Sequence, residues 1–308
     1  MNLQNNITNR QPKYSIAIIH LNMAETVARC LTSILEQLNH EFEVIVVDDG
    51  STDGSVPILE ELEEQYEILR VETDAGNKNH GEARRHATEL ANGEYVLSSL
   101  DADDEFTPCI TQFVSLYHEV EDMKDNRFCL LGYSIYMAPR SLLLDIPYRS
   151  MGYGEDRDIY RRLLAHEALI GLSHHRIRRS NGYHPTKIQK VKTGIETIAN
   201  QFRSGIHLVP YLRWAFEEMV GERDRISARR GLLHLLTAPI AYLISLRGNR
   251  YDTPEKYQDI GRYKDELMDA HMTLKQIEER FNIDVDREAI GPRGCAVFDI
   301  DEERDFID

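Results

Sequence analysis

The chain has 308 residues, of which 42% are hydrophobic and 29% are charged, a composition typical of a folded globular protein rather than a disordered one. Its 36 Lys and Arg against 52 Asp and Glu give a formal net charge of -16, and so acidic a surface repels phosphate backbones, which excludes nucleic acid as an expected partner. The four cysteines lie far apart without metal-ligand spacing, which argues against structural zinc or a disulfide framework and favours a reducing compartment.

The N-terminal segment, residues 1–12, is polar, and we expect it to be flexible. It lacks the apolar stretch of a secretory signal. No apolar run reaches the roughly 18 residues that a transmembrane helix needs, and the nearest approach is Leu232–Leu246. We therefore expect a cytoplasmic protein.

Short apolar runs alternate with helical patterns over the first hundred residues. Each run is continuous and apolar, which is typical of a strand buried on both faces. Helices are predicted between them, with Asn22 as a cap for the first. This alternation gives βαβ units and a parallel sheet, in which ligands bind beyond the carboxyl ends of the strands. The predicted strands are Tyr14–Leu21, Phe42–Val47, Ile68–Glu72 and Glu94–Leu100.

Helical patterns dominate the rest of the chain, and beyond about Thr193 there is little strand signal before the acidic last residues, which we expect to be a loose tail. We predict a flexible segment 1–12, a sheet domain 13–192 and a helical region 193–308. The predicted elements of this part are a helix from about Thr107, a strand at Phe128–Met137, a loop at Tyr148–Gly154, a helix from about Glu155 to His166 and a strand at Ala296–Ile300.

Two acidic clusters follow predicted strands. Asp101, Asp103 and Asp104 place three carboxylates within four residues, and in an extended segment Asp101 and Asp103 face the same way. Such oxygens suit Mg²⁺ or Mn²⁺. An acidic turn in an acidic protein explains the cluster equally well.

Asp48 and Asp49 form the other cluster, directly before Gly50. Their carboxylates can accept hydrogen bonds from a base and a ribose, and the glycine permits a tight turn. A strand-to-helix turn with Asx and Ser caps would explain Ser51–Gly54, but it would leave two adjacent like charges unexplained.

Four segments together resemble the successive signatures of inverting family 2 glycosyltransferases of the GT-A fold: VVDDGSTDGS, GEARRHATELANGEY, LDADDEF and GEDRDIYRRL. The first three match in order and spacing over roughly the first 110 residues, and the fourth extends the match to about residue 165. The resemblance implies an α/β fold with a Rossmann-like, mainly parallel sheet flanked by helices. It also implies sugar transfer from a nucleotide-diphosphate sugar, assisted by Mg²⁺ or Mn²⁺ on the DxD motif.

The resemblance also implies residue roles. Asp49, with Asp48 beside it, corresponds to the aspartate that meets the nucleobase. Asp101 corresponds to the residue near the ribose and donor sugar, and Asp103 to the main metal ligand, with Asp101 alongside. Asp156 corresponds to the catalytic base.

Arg84 stands where the family's Ala-Arg-Asn stretch has its arginine, and we expect it to contact the donor. Here Arg85 follows it instead of an asparagine. The first strand ends in Ile19-His20-Leu21-Asn22 where the family usually has a Pro-Thr-Tyr-Asn-like turn. Both departures bear on donor selectivity rather than on the reaction.

An inverting sugar transfer also requires a general base and a group that neutralises the negative charge of the leaving diphosphate. In-line displacement at the anomeric carbon needs a base for the acceptor hydroxyl and positive charge for the leaving diphosphate. Asp156 can be that base if Glu155-Asp156 opens a helix at the edge of the sheet. Favourable charge in the first turn of a helix is the alternative explanation for Glu155, Asp156 and Asp158.

Two other segments have open interpretations. The basic stretch His174–Lys192 can close over a diphosphate or meet a phosphorylated acceptor, or it can be a solvated loop. Leu232–Leu246 lies between arginine pairs, so it can attach the protein to anionic lipid on the inner face of the membrane. We favour the alternative, a core helix that contains Pro239.

The sequence therefore predicts an inverting glycosyltransferase. The expected acceptor is a hydroxyl of a surface glycan, a protein or a glycan on a polyprenyl phosphate carrier. A metal-binding signalling module is a competing class, but it needs its acidic pair after the first strand, whereas Asp48 and Asp49 follow the second. A catalytically inactive nucleotide-sugar-binding protein is the remaining alternative.

Overall fold

The computed structural model describes residues 11–122, 126–180, 186–221 and 225–301. Residues 1–10 and 302–308, which hold most of the predicted flexible N-terminus and acidic tail, lie outside the described residues.

The strands form one large sheet and one small one. The described residues contain ten strands: β1 (Tyr14–His20), β2 (Phe42–Asp48), β3 (Leu69–Glu72), β4 (Tyr95–Ser98), β5 (Asp104–Phe106), β6 (Cys129–Gly132), β7 (Ile135–Pro139), β8 (Leu169–Leu172), β9 (Arg178–Ser180) and β10 (His271–Met272). Eight of them form a sheet in the order β10-β8-β6-β7-β4-β1-β2-β3, and β5 pairs with β9. All neighbours in the large sheet are parallel except those of β7, which is antiparallel to β4 and β6.

Helices connect the strands and cover the sheet. The α-helices in the described residues are α1 (Val27–Leu35), α2 (Ser55–Gln65), α3 (His80–Leu90), α4 (Ile110–Glu121), α5 (Arg140–Asp145), α6 (Glu155–Ala165), α7 (Lys187–Arg203), α8 (Leu208–Val220), α9 (Arg225–Ser245), α10 (Ile260–Ala270), α11 (Leu274–Phe281) and α12 (Arg287–Phe298). No helix in these ranges is both long and apolar enough to cross a membrane.

The central strands are apolar throughout because both of their faces are covered. In β2, Val44 and Val46 point into the cluster that α1, α2 and α4 cover, whereas Ile45 and Val47 point into the cluster under α3, α5 and α6. Side chains alternate between the faces of a strand, so a strand between two helical layers needs apolar residues at every position. This confirms the predicted α/β class.

The predicted strand at Phe128–Met137 is in fact two strands. β6 and β7 are joined at Tyr133 and Ser134, and Ser134 adopts a left-handed φ of 65°. Because both strands are buried, the apolar run continues from one into the other, and the sequence gives no sign of the turn between them.

The predicted strand at Ala296–Ile300 was wrong. Residues up to Phe298 belong to α12, which is kinked at Gly291 (φ 67°, ψ 172°), and Gly294 and Phe298 after the kink are buried four positions apart. The ring centroids of Phe298 and Phe113 of α4 lie 5.7 Å apart. A short apolar run does not distinguish a strand from the end of a buried helix.

The C-terminal region supplies residues to the core around the sheet. β10 pairs with β8 at the edge of the sheet, and Leu274, Ile277 and Ile290 belong to the same apolar cluster as β1 and β2. A third apolar cluster joins α7, α8, α9 and α10, with Phe202, Tyr211 and Trp214 among its buried rings.

Candidate active site

The predicted acidic site residues lie at one edge of the sheet. β1 and β2 run in parallel with His20 opposite Asp48, and β4 is parallel to β1 on its other side. The chain therefore leaves β2 and β4 at the same edge, where Asp49 follows β2 and the cluster Asp101–Asp104 follows β4. The structure thus places at one edge of the sheet two acidic clusters that are about fifty residues apart in the sequence.

Asp48 is fully buried, and both of its carboxylate oxygens accept hydrogen bonds from neighbouring residues. Its Oδ1 lies 2.7 Å from Nδ1 of His20 and accepts from the Ser51 hydroxyl, and its Oδ2 accepts from the backbone N–H groups of Gly50 and Ser51, both at 3.0 Å. Burial raises the pKa of Asp48, but the hydrogen bonds from Ser51, His20 and Gly50 outweigh this and hold it below its usual value. The carboxylate thus fixes the turn that follows β2.

The loops after β1 and β2 are bound to each other. The Asn22 side chain accepts from Thr52 N–H at 2.8 Å, and Asp53 accepts from Ala24 N–H at 2.8 Å. The prediction that Asn22 caps α1 was wrong, because Thr26 occupies that position. Asn22 instead ties together the two loops that border Asp49.

Asp49 is partly exposed, in contrast to Asp48. Its Oδ1 accepts from the Asn77 side chain at 2.7 Å and from the Asn77 backbone N–H at 3.3 Å. Burial raises the pKa of Asp49, and the negative charge of Asp48 adds to this, although the hydrogen bonds from Asn77 oppose both. Asp49 is therefore the member of the pair that a ligand can reach.

Asp101, Asp103 and Asp104 converge as the sequence predicts. Each offers a carboxylate oxygen, and these oxygens lie within 4.8 Å of one another. Burial raises the pKa of Asp103, and so does the negative charge of Asp101. Mutual repulsion between carboxylates is relieved when a cation binds between them, so the donor set and its electrostatics fit Mg²⁺ or Mn²⁺.

Asp104 also links the cluster to the predicted basic stretch. It is buried in β5, opposite β9, and forms an ion pair with Arg178. Its Oδ1 is buried without a hydrogen-bond partner in the structure. Within the basic stretch, residues 181–185 lie outside the described part of the chain.

Arg84 connects the acidic cluster to the start of α6. Its guanidinium donates from Nε to Glu155 at 3.1 Å, from Nη2 to Asp101 at 3.3 Å and from Nη1 to Ser98 at 3.5 Å. Burial lowers the pKa of Arg84, but Tyr148, Glu155 and Asp101 hold it above its usual value. A single buried cation thus contacts two of the three segments in which the sequence predicts chemistry, the Asp101–Asp104 cluster and the start of α6.

The three acidic residues in the first turn of α6 have different surroundings. Glu155 is buried against Arg84, and Asp158 is buried between Arg149 at 3.1 Å and Arg162 at 2.9 Å. Asp156 is partly exposed and accepts from the backbone N–H of Arg157 at 2.7 Å. Glu155 and Asp158 therefore secure the helix, and Asp156 faces the accessible side.

Close packing at Gly81 sets the position of the loop before α6. A Cβ on Gly81 would lie 2.0 Å from the carbonyl oxygen of Arg149, a distance that real Cβ contacts essentially never show. Gly81 N–H also donates to the carbonyl of Met151 at 3.0 Å. The absence of a side chain at Gly81 lets the loop leading to Asp156 lie directly on α3.

Gly81→Ala is expected to destabilise the protein by about 1–3 kcal/mol or more, because the contacted atoms are backbone and cannot rotate away. The matched control is Gly194→Ala in α7, where nothing lies within 4 Å of the added Cβ. That substitution should stabilise the protein by roughly 0.5–1 kcal/mol. Urea unfolding measures both. Equal effects of the two substitutions would contradict the packing at Gly81.

The sequence does not predict the roles of two further residues at this site, Asn77 and Arg178. Asn77 lies in a loop whose polar composition gives no hint of its contact with Asp49. Arg178 is one of several basic residues between positions 174 and 192, and only the pairing of β5 with β9 brings it to Asp104.

Residues 15–127 match the family model described as glycosyl transferase family 2. The curated relatives include the putative teichuronic acid biosynthesis glycosyltransferase TuaG of Bacillus subtilis, 35% identical over 45% of this chain and 53% of that protein. They also include the amylovoran biosynthesis glycosyltransferase AmsB of Erwinia amylovora, 30% identical over 46% of this chain and 48% of that protein. The chain thus spans about half the length of these relatives.

A crystal structure of S. aureus TarS 1-349 in complex with UDP-GlcNAc is similar in fold. It shares 17% sequence identity, covers 88% of this chain and 83% of that chain, and gives a TM-score of 0.50. Together with the sheet order, this confirms the predicted GT-A fold.

Proposed function

We propose that this chain is an inverting glycosyltransferase that moves a sugar from a nucleotide-diphosphate sugar to an acceptor hydroxyl. Two findings support this: residues 15–127 match the model of glycosyl transferase family 2, and the fold is of the GT-A type. TuaG and AmsB are described as glycosyltransferases of teichuronic acid and amylovoran biosynthesis. Their names support an acceptor in cell-surface glycan synthesis, either the glycan itself or a glycan on a polyprenyl phosphate carrier.

The contact of Arg84 with both Asp101 and Glu155 is the observation that carries the proposal. A donor sugar in such an enzyme must lie between the groups that hold its diphosphate and the base that serves the acceptor. Asp101 belongs to the first set, and Glu155 directly precedes Asp156. One guanidinium therefore sets the spacing between the two halves of the proposed site.

On the donor side, Asp49 and the neighbouring Asn77 offer hydrogen-bonding groups for the nucleobase. Asp103 and Asp101 would hold Mg²⁺ or Mn²⁺, with Asp101 also near the ribose and donor sugar. A bound divalent ion supplies positive charge that stabilises the leaving diphosphate. Asp48 contributes by holding the turn on which Asp49 is presented.

On the acceptor side, Asp156 is the proposed general base. It accepts the proton of the acceptor hydroxyl as the oxygen attacks the anomeric carbon. Its two acidic neighbours are paired with arginines and cannot take this role without breaking those pairs.

Asp103→Ala is expected to abolish the metal-dependent part of nucleotide-sugar binding and to leave the melting temperature unchanged or slightly raised. The fold gains little from this carboxylate, since burial and Asp101 raise its pKa and so disfavour its charged form. Calorimetry with UDP- and GDP-sugars, with Mn²⁺ and with chelator, measures the affinity.

Asp145→Ala is the matched control, because Asp145 forms an exposed ion pair with Arg127. It should bind donor as the unmodified protein does. If Asp103→Ala retains Mn²⁺-dependent affinity, the assignment of the metal ligands fails. If donor binds normally but no acceptor is ever glycosylated, the chain is a nucleotide-sugar-binding protein without activity.

A further inference from the structure

Helices α7 and α9 present an extensive apolar surface to solvent. Most of the large apolar side chains exposed by the described residues lie between positions 188 and 246. We call the following set the α7–α9 apolar face: Ile188, Val191, Leu236, Ile240, Leu243 and Ile244, of which Ile188 is 81% and Leu236 and Leu243 are each 65% exposed. Exposed apolar surface of this extent in a soluble domain marks an interaction site.

The apolar face is continuous between the two helices. A groove of about 760 Å³ is lined by Ile188, Val191 and Ile195 of α7 together with Ile244 of α9. Only one side of α9 packs inward, through Ala238, Ala241 and Ser245. The helix predicted to be core at Leu232–Leu246 is therefore buried on one side only, and its opposite side carries the exposed apolar residues.

Most charged residues around this face are basic, although the protein as a whole is acidic, and Glu196 is the acidic residue that lines the groove. Residues 225–250 contain five arginines and no Asp or Glu, although the whole chain carries a net charge of -16. Arg229 lies seven residues before Leu236 on α9, and Arg247 follows the end of this helix; both are exposed. Lys187, Lys190 and Lys192 are exposed next to Ile188 and Val191.

We propose that the α7–α9 apolar face binds the surface of a membrane that contains anionic phospholipid. Leucine and isoleucine side chains enter the region between headgroups and acyl chains, and the flanking cations contact lipid phosphates. A second copy of this chain fits less well, since a two-fold contact would bring the arginines and lysines of the face against themselves.

The position of α7 connects this surface to the candidate active site. Asn200, near the other end of α7, donates to the carbonyl of Tyr153 at 2.9 Å, in the loop that precedes Asp156. Membrane binding through α7 would hold the acceptor side of the site near the lipid surface. The membrane interaction itself does not depend on glycosyl transfer and can be measured without activity.

Flotation of the full chain with vesicles tests the proposal. At low salt the protein should float with vesicles of phosphatidylglycerol and phosphatidylcholine, and much less with phosphatidylcholine alone. Leu236→Ser/Leu243→Ser should reduce the affinity for anionic vesicles by roughly tenfold or more, because two side chains lose their apolar burial. Arg229→Gln/Arg247→Gln should cause a similar loss.

The matched control is Leu144→Ser/Met268→Ser, which changes two exposed apolar residues outside the face. This variant should float like the unmodified protein, and circular dichroism should show that all variants are folded. Absence of flotation at low salt overturns the proposal, as does equal binding to neutral vesicles. A dimer in sedimentation that only Leu236→Ser/Leu243→Ser dissociates, without flotation, identifies the face as a contact between copies and also overturns it.

Discussion

Asp156→Asn is expected to lower kcat by roughly 10²–10⁴-fold and to leave the affinity for nucleotide sugar nearly unchanged. The amide keeps the size of the carboxylate and can still accept a hydrogen bond from Arg157 N–H, but it cannot accept the proton of the acceptor hydroxyl. Single-turnover rates with the true acceptor measure the effect, because hydrolysis of the donor by water can hide it.

The neighbouring carboxylates give this experiment its controls. Asp158→Asn should lower stability instead, because it removes a charge that is buried between Arg149 and Arg162. Asp49→Ala should weaken donor binding first, since its proposed partner is the nucleobase and no proton moves there. If Asp156→Asn turns over at a near-normal rate, the base lies elsewhere.

Arg84→Met is expected to destabilise the protein by about 3–5 kcal/mol, because it leaves Glu155 buried without its cation. It should also weaken donor binding, since Asp101 loses the side chain that holds it. Urea unfolding gives the first quantity and calorimetry with donor and Mn²⁺ gives the second.

The double variant Arg84→Met/Glu155→Met separates the two effects. A buried ion pair replaced by apolar residues of similar size often costs little, so most of the stability should return. Donor binding should remain weak, because the link to Asp101 is still missing. Recovery of donor binding together with stability would show that Arg84 acts only on the fold.

The placement of the site follows from sequence because the two strands that precede it, β2 and β4, are recognisable from their apolar residues. Continuous apolar runs such as that ending at Asp48 occur where a strand is covered on both faces, and parallel strands bring their carboxyl ends to one edge. Asp49 and the Asp101–Asp104 cluster could thus be assigned to the same edge from their positions alone.

The partners of the charged residues could not be predicted in this way. Asp48 and Asp49 are identical residue types in adjacent positions, yet one is enclosed by His20 and Ser51 and the other is accessible. Likewise, only the folded chain shows that Glu155 faces Arg84 while Asp156 does not. These differences depend on which side of a strand or helix packs against which neighbouring element, and residue types alone do not determine that packing.

The C-terminal residues illustrate a different limit. β10 has two residues, His271 and Met272, too few to leave an alternating pattern. Its pairing with β8 depends on the path of α7 to α10, which no local signal specifies. The apolar run at the end of α12 predicts a strand for a related reason, since only its contact with α4 shows that a buried helix ends there.

The late return of the chain to β8 has a consequence for synthesis on the ribosome. One hundred residues separate Leu172 from its sheet partner Met272, and translation at about 5–20 residues per second needs roughly 5–20 seconds to produce them. During that interval the edge of β8 is open to strands of other nascent chains. We therefore expect that this protein, when overexpressed, aggregates in part before its translation ends. Slower elongation between residues 172 and 272 should lower the yield of native protein.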